Sequence, residues 1–545
     1  MDEEVGRPGK RVFHASSFGV VGDGTTDDGP AIGRIMEAAR GTTGARVAFE
    51  PRRTYFIGTA ASRYVFDISG ASGLTIDGRG STFELGPHVR VLSLVGSRRV
   101  TVRRRNVDFR PLPFGDGEVI GVDAERRRIQ VRTHRDSRPL CGGPTREDGE
   151  QAFFGMLWTD GPYGPVGLHY WLERTEPADA PNTVWAVASP EFTGFAELNG
   201  KTWRISLPVP GIAHRYGPGA CFKIRDNDTV TFEDVELWSA PWFGFEVARN
   251  SGNVAFRRVH IRPKPDSGRL MSTCRDGFHI KGNRGRLIWE DCVVTGMTDD
   301  AFNISTHSSE VSRLLSPNRI EVRQRFPLLH VPWLRGAELA AADERTGRLL
   351  GRGRVTDVTV GPEPEPIQGE PAAPISELTL DRPIPGITVG TMVWDRLSAN
   401  PNTTLRRCRI EMSCRMQSPV IMEQCEVTAL LWFYAEHIEG PYPGPVRVRG
   451  CTLRRGRGNP AHAVIVSGGP ADRADAGSAS APRAIHDITF EDNRIYGGFV
   501  VEGAEGVRLI GNRFLEADAP IRLTANHRQR LFRNTGAAGR PVVAP

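Results

Sequence analysis

The chain has 545 residues, 39% of them hydrophobic and 25% charged, with a formal net charge of +6. That is enough apolar material for a large folded core and too little positive charge for a polyanion binder of this size; arginine runs such as Arg103-Arg-Arg105 and Arg126-Arg-Arg128 lack aromatic interleaving and read as solvated strand faces, so no nucleic-acid partner is expected. No segment approaches the ~18 consecutive apolar residues that cross a bilayer, so no membrane partner is expected.

At the N-terminus, Met1-Asp-Glu-Glu-Val5 lacks the basic-then-apolar layout of a signal peptide. The protein is then either intracellular or secreted with a leader missing from this sequence. Next come Ser16-Ser-Phe-Gly-Val-Val-Gly-Asp-Gly-Thr-Thr-Asp-Asp28, the amphipathic run Ala31 to Ala39, and Ala45-Arg-Val-Ala-Phe49. They predict a turn, a short helix N-capped by Asp27 or Asp28, and a strand. The Gly22 to Asp28 run reads as tight glycine turns leading into the cap, not as a calcium or phosphate site.

The strongest signal is a repeat. Asp226 to Leu237, Asn250 to Ile261 and Asn283 to Val294 superimpose without gaps, each as one alternating apolar pair, a two-residue break and a second pair. Period-two alternation means strands with one buried face, and the break means a sharp turn between them. The frame recurs at Leu405/Cys408/Ile410, Val420/Met422/Cys425/Val427, Val446/Val448/Cys451/Leu453, Ile488/Phe490/Asn493/Ile495 and Val507/Leu509/Asn512/Phe514, with earlier members at Leu74/Ile76 and Val100/Val102. Coils with loops of variable length give such spacing, and a right-handed parallel β-helix is the economical answer. Its open end needs a cover, which the helix supplies. Cys292, Cys408, Cys425 and Cys451 share one position of the frame and are expected as buried ladder residues, with Asn493 and Asn512 continuing the ladder. Eight cysteines in all are too sparse for a disulfide scaffold, and none forms a CxxC metal pair.

Two stretches leave the repeat. One contains Arg128-Ile-Gln-Val-Arg132 and Val184-Trp-Ala-Val187; the other contains Arg319-Ile-Glu-Val-Arg323, Arg354-Val-Thr-Asp-Val358 and Glu377-Leu-Thr-Leu380, with a Pro-rich connection at Pro362 to Pro366. Short strands without helices between them predict two small β-barrel-like domains inserted between coils. The expected division is 1–115 for the cap and first coils, 116–215 for the first insertion, 216–310 for the central coils with the active site, 311–398 for the second insertion and 399–545 for the last coils. Gly468 to Pro482, rich in Ala, Ser, Gly and Asp, is expected as a disordered loop.

Chemistry concentrates in the central coils. Phe243-Gly-Phe-Glu-Val247, Asp276-Gly-Phe-His-Ile280 and Asp300-Ala-Phe-Asn-Ile304 align, the last two at an offset of 24. Phe245, Phe278 and Phe302 then stack inward, and Glu246, His279 and Asn303 point outward as a polar ladder suited to holding a sugar. Beside it lie Asp276, Asp299 and Asp300, the candidate catalytic residues. Strict alternation would turn Asp276 and Asp300 inward, and a buried carboxylate pair is costly. The expectation is therefore that the preceding turn, helped by Gly277, breaks the alternation and exposes all three. Glycoside hydrolysis needs one carboxylic acid to protonate the leaving oxygen and one carboxylate to activate water or attack the sugar, and neighbouring like charges retain a proton at neutral pH. Further candidate substrate contacts are His307, Arg415 and Trp242, with Glu310, Trp238, Trp394 and Trp432 as secondary candidates. No cofactor or metal is expected, and the sequence does not indicate the oligomeric state.

The capped N-terminal end, the Cys274-Arg-Asp-Gly-Phe-His279 coil, the Thr298-Asp-Asp-Ala-Phe-Asn303 coil and the insertion just after it resemble glycoside hydrolase family 110 within the pectate-lyase-like superfamily. The resemblance covers most of the chain and is sharp from about 220 to 310. It implies an exo-acting, inverting, metal-free α-1,3-galactosidase acting on a galactose-terminated glycan, with Asp276, Asp299 and Asp300 matching the catalytic aspartates. Within that reading Asp299 or Asp300 is the base and Asp276 its partner. Rivals are a polygalacturonase-type hydrolase, whose later Gly-His-Gly and Arg-Ile-Lys signatures are missing, a pectate lyase, and a non-catalytic carbohydrate-binding β-helix.

Overall fold

In a computed structural model, the residues described are 11–134, 154–161, 164–209, 219–326, 329–344, 347–365, 372–434, 439–457, 461–467 and 483–542. The expected loop from Gly468 to Pro482 lies outside them.

The repeat is a stack of parallel strands. Val230, Phe232, Val235 and Leu237 pair in register with Val254, Phe256, Val259 and Ile261, and Val254 and Phe256 pair with Leu287 and Trp289. The two-residue break contains one left-handed residue per coil, Asp234, Arg258 and Asp291, with φ of 55°, 51° and 56°. Such a residue costs on the order of 1 kcal/mol in an L-amino acid. Its recurrence at one place in successive coils bends the whole stack at a common corner.

The residue after that corner is buried. Cys292, Cys408, Cys425 and Cys451 form the expected column, which passes into Asn493 and Asn512. The N–H of Cys425 donates to Cys451 Sγ at 3.3 Å, the N–H of Cys451 to Asn493 Oδ1 at 2.9 Å, and the Asn493 amide to Asn512 Oδ1 at 2.9 Å. A second column, not anticipated from the sequence, runs through Asn227, Asn250, Asn283 and Asn400, each donating to the next at 2.8–3.0 Å and each fully buried. These amides satisfy corner backbone groups that would otherwise be stranded away from water.

One face of the helix is an eleven-stranded sheet running from Tyr64–Ser69 to Ile521–Thr524. Phe222, Phe245, Phe278 and Phe302 stack beneath it with ring centroids 4.3, 5.0 and 5.1 Å apart. The helix Gly29–Ala39 buries Ala31, Ile32 and Ile35 in the same core. Asp27 accepts the N–H groups of Gly29 and Gly58 at 3.0 and 2.9 Å, and Asp28, directly before the helix, instead accepts those of Val21 and Gly22 at 2.7 and 3.0 Å. The acidic run is thus occupied by backbone donors. Gly29 is required by closeness, since a Cβ there would lie 1.8 Å from Thr59 O.

Both insertions are closed six-stranded barrels with cores of their own. The first has strands Phe114–Asp123, Arg128–Thr133, Phe154–Gly161, Gly164–Pro177, Thr183–Ala188 and Arg204–Pro208; the second has Ser309–Ser316, Arg319–Gln324, Glu338–Asp343, Arg348–Val360, Ser376–Leu380 and Met392–Asp395. The first barrel touches the turns that lead into the sheet: Asp116 accepts the Leu270 N–H at 3.0 Å, and His169 Nε2 lies 2.6 Å from Thr298 O. The second touches the turns that leave it, where Arg249 donates to His330 O at 3.0 Å and Arg284 pairs with Asp395 at 2.6 Å. The central strands therefore lie between two walls. Among the described residues no helix is long and apolar enough to cross a membrane.

Candidate active site

The strands Phe245–Ala248, Phe278–Lys281, Phe302–Ser305 and Cys414–Met416 lie side by side, with Glu246 opposite His279, His279 opposite Asn303, and Asn303 opposite Arg415. Because Phe278 and Ile280 fill the core, His279 and the rest of its row face away from it. The expected polar ladder exists, and Arg415 extends it by one coil. It is a covered floor, however, with Glu246, His279 and Asn303 only 7%, 8% and 4% exposed.

Asp276 and Asp300 precede their strands, and the turn does break strand phase: Asp276 Oδ2 lies 2.8 Å from Nδ1 of the outward His279. The expectation that all three aspartates are exposed is corrected. Asp276 and Asp300 are 3% and 7% exposed, and only the Asp299 side chain, at 31%, is accessible. Their burial is tolerable because each has partners. Asp300 accepts from Ser413 Oγ at 3.0 Å and lies 3.2 Å from Arg415 Nε, and Asp299 lies 3.5 Å from Arg275. Gly277 contributes by closeness alone, since a Cβ on it would lie 2.9 Å from Ala301 O.

The electrostatics separate the acids. Burial, then the charge of Asp299, then Glu439 push the Asp276 carboxyl well above the usual range. Burial and Asp299 also raise Asp300, against the opposing pull of Arg415 and the Ser413 hydroxyl. Burial and the neighbouring Lys281 hold the His279 imidazole down to about 3, so it is neutral and receives or donates a single hydrogen bond with Asp276.

Three charged groups escaped the sequence reading. Lys281, fully buried, donates to Asn303 Oδ1 at 2.8 Å and to Ser305 Oγ. Glu439 pairs with Lys281 at 3.6 Å, accepts from Asn303 Nδ2 at 3.2 Å and is bound by Arg415. Burial opposes the charge on Glu439, but Lys281 and Arg415 outweigh it and keep the group ionised below the ordinary carboxylate range. Arg225 binds Glu246 at the far end of the floor. Lys281 was readable from alternation, two residues beyond His279; Glu439 belongs to no repeat and had no sequence signal.

The remaining candidates divide. Trp242, partly buried, lies under the Arg275 guanidinium at 5.2 Å and so borders Asp299. His307 is buried beside the floor, with Nδ1 3.1 Å from Gln324 Nε2 and its ring against Phe326. Glu310 instead pairs with Arg323 and Arg325 of the second barrel. Trp394 is buried against Tyr442, and Trp238 is covered by Lys264 at 5.0 Å. Among the described residues no cluster of His, Cys, Asp and Glu is arranged to hold a metal ion.

Fold and site together define a parallel β-helix protein with an acid-bearing polar row on one sheet face between two barrels. No family model matches the chain. It is homologous to bacterial proteins named α-1,3-galactosidase: 23% identical to α-1,3-galactosidase B of Bacteroides thetaiotaomicron over 75% of this chain and 68% of that one, and 24% identical to α-1,3-galactosidase A of Bacteroides fragilis over 46% and 41%. With α-1,3-galactosidase A of Akkermansia muciniphila it shares 40% identity over 76 residues, 14% of this chain and 13% of that one. Superposition on a polygalacturonase from Erwinia carotovora gives a TM-score of 0.37 at 8% identity, over 98% of both chains.

Proposed function

We propose that the protein is a glycoside hydrolase, an exo-acting α-1,3-galactosidase that releases terminal galactose with inversion. The observation that carries this is the meeting of Asp276, Asp299 and Asp300 from two successive coils at the edge of the floor formed by His279, Lys281, Asn303, Arg415 and Glu439, in a chain homologous to named α-1,3-galactosidases. In this reading Asp276, with its raised pKa, donates its proton to the glycosidic oxygen as the C1–O bond breaks. Asp299, the accessible carboxylate, takes a proton from the water that attacks C1 from the opposite face. Asp300, held by Arg415 and Ser413, fixes the geometry between them. The partly exposed charges of Arg415 and Glu439 offer donors and acceptors to sugar hydroxyls, where charge-assisted hydrogen bonds are strongest, and the buried Lys281 holds Glu439 from beneath.

The test is incubation with blood-group-B-type trisaccharide and with linear α-1,3-digalactoside, followed by NMR of the released sugar. β-Galactose appearing first is the expected result. α-Galactose first would overturn inversion, and no galactose from either substrate would overturn the galactosidase reading.

A further inference from the structure

The outward row continues past the aspartates. Arg415 lies opposite Trp432, Trp432 opposite Ile465, and Ile465 opposite Val500. The floor thus changes character along its length, from polar at His279 and Asn303 and charged at Arg415, through one aromatic position, to aliphatic. Trp432 lies two rungs from Asn303, roughly 9–10 Å at the spacing of neighbouring strands, a distance one or two pyranose rings can bridge.

Its surroundings make the indole a rigid plate. Tyr434, two residues on and therefore on the same face of the strand Leu431–Tyr434, stacks on Trp432 with ring centroids 3.8 Å apart and an interplanar angle of 12°. Arg415 lies 6.0 Å from the Tyr434 ring centroid. Tyr434 thus fixes the indole from one side. Both rings remain half-buried while Leu431 and Phe433 between them fill the core. A partly exposed indole, braced upright on a flat sheet beside a set of sugar-hydroxyl partners, matches the apolar C–H face of a pyranose ring.

We infer that Trp432, braced by Tyr434, is the platform for the sugar on the leaving-group side of the scissile bond, and so sets which glycan the enzyme accepts. This rests on the galactosidase reading. It assigns the polar end of the row to the terminal galactose and the aromatic position to the next sugar, with the aliphatic positions Ile465 and Val500 ending the polar floor.

The experiment compares linear α-1,3-digalactoside, which reaches both positions, with α-galactosyl fluoride, which fills only the galactose position. In Trp432→Ala the ratio of kcat/KM for the disaccharide to kcat/KM for the fluoride should fall about tenfold or more, and Trp432→Phe, which keeps an aromatic face, should restore most of it. Loss of both activities in equal proportion, an unchanged ratio in Trp432→Ala, or a ratio in Trp432→Phe as low as that of Trp432→Ala overturns the inference in an active enzyme. Wild-type protein that cleaves neither substrate overturns the galactosidase reading and the inference with it, a result the ratio alone would not produce. Should Trp432→Ala fail to fold, Trp432→Leu gives the same readout with the side-chain volume largely kept.

Discussion

Lys281 Nζ lies 3.6 Å from Glu439 Oε1, although the whole second barrel separates the two residues in the chain. Lys281 has no exposed surface, so its charge is stabilised by this carboxylate first, by its hydrogen bonds to Asn303 and Ser305, and by the nearby Asp276 and Asp300. Removing one member of a buried pair leaves an uncompensated charge. Lys281→Met and Glu439→Gln should each destabilise the protein by about 3–5 kcal/mol. The double variant should cost less than their sum by roughly 0.5–3 kcal/mol. Urea unfolding of the four proteins closes the cycle, and strict additivity would show that the two charges do not depend on one another.

The three aspartates should differ in which substrates reveal their loss. Asp299→Asn should lower kcat on α-1,3-digalactoside by about 10²–10⁴-fold and do the same on α-galactosyl fluoride, because both need an activated water. Asp276→Asn should be as damaging on the disaccharide and much milder on the fluoride, which departs without a proton. Equal losses of both substrates in both variants would refute the division of labour. In the wild type, disaccharide hydrolysis should decline on the alkaline side as Asp276 gives up the proton that burial and Asp299 help it retain.

Much of this was legible in the chain because the repeat is a physical necessity. Alternation at Val230/Phe232 and Val235/Leu237 marks a buried face, and the break between them is the left-handed Asp234. The cysteine column could be read because each coil places it just after that break. The asparagine column was harder, since Asn400 follows Asn283 only after the second barrel. Asp276 and Asp300 were ambiguous because they precede the strands, where alternation no longer dictates direction. Glu439 follows no strand frame and reaches the site only through the folded stack.

Acid should destabilise the protein through its buried imidazoles. Burial, with Lys281 nearby, lowers His307 from 6.5 to about 3. Between those values the unfolded chain takes up a proton that the native chain refuses, so stability is complete above about pH 6.5 and declines as the pH falls, by about 1.4 kcal/mol per pH unit for each such group. His279, also lowered to about 3, contributes in the same direction. His307→Gln should flatten the pH dependence of the unfolding free energy between pH 4 and 6 by about one proton. An unchanged slope would mean that His307 titrates alike in both states.

The thiols should be silent until the helix opens. Seven described cysteines are free and buried, and burial pushes the Cys221 thiol up to about 12. Of the eight in the sequence only Cys141 lies outside the described residues. Native protein should therefore react promptly with a disulfide reagent at no more than one site, and at eight in urea. Two or more fast thiols would contradict the packing of the columns.

The two barrels close on themselves around separate cores, and between their points of insertion the chain runs without interruption through the strands that carry Glu246, His279, Asn303 and the three aspartates. The register of the acids and the shape of the walls are thereby inherited from different parts of the polypeptide. A relative could lengthen a barrel hairpin, or exchange one barrel for another, and meet a different glycan without moving a single acid. Divergence in this architecture should accumulate in the walls, while the rungs between them stay fixed by the hydrogen-bond ladders that hold them in step.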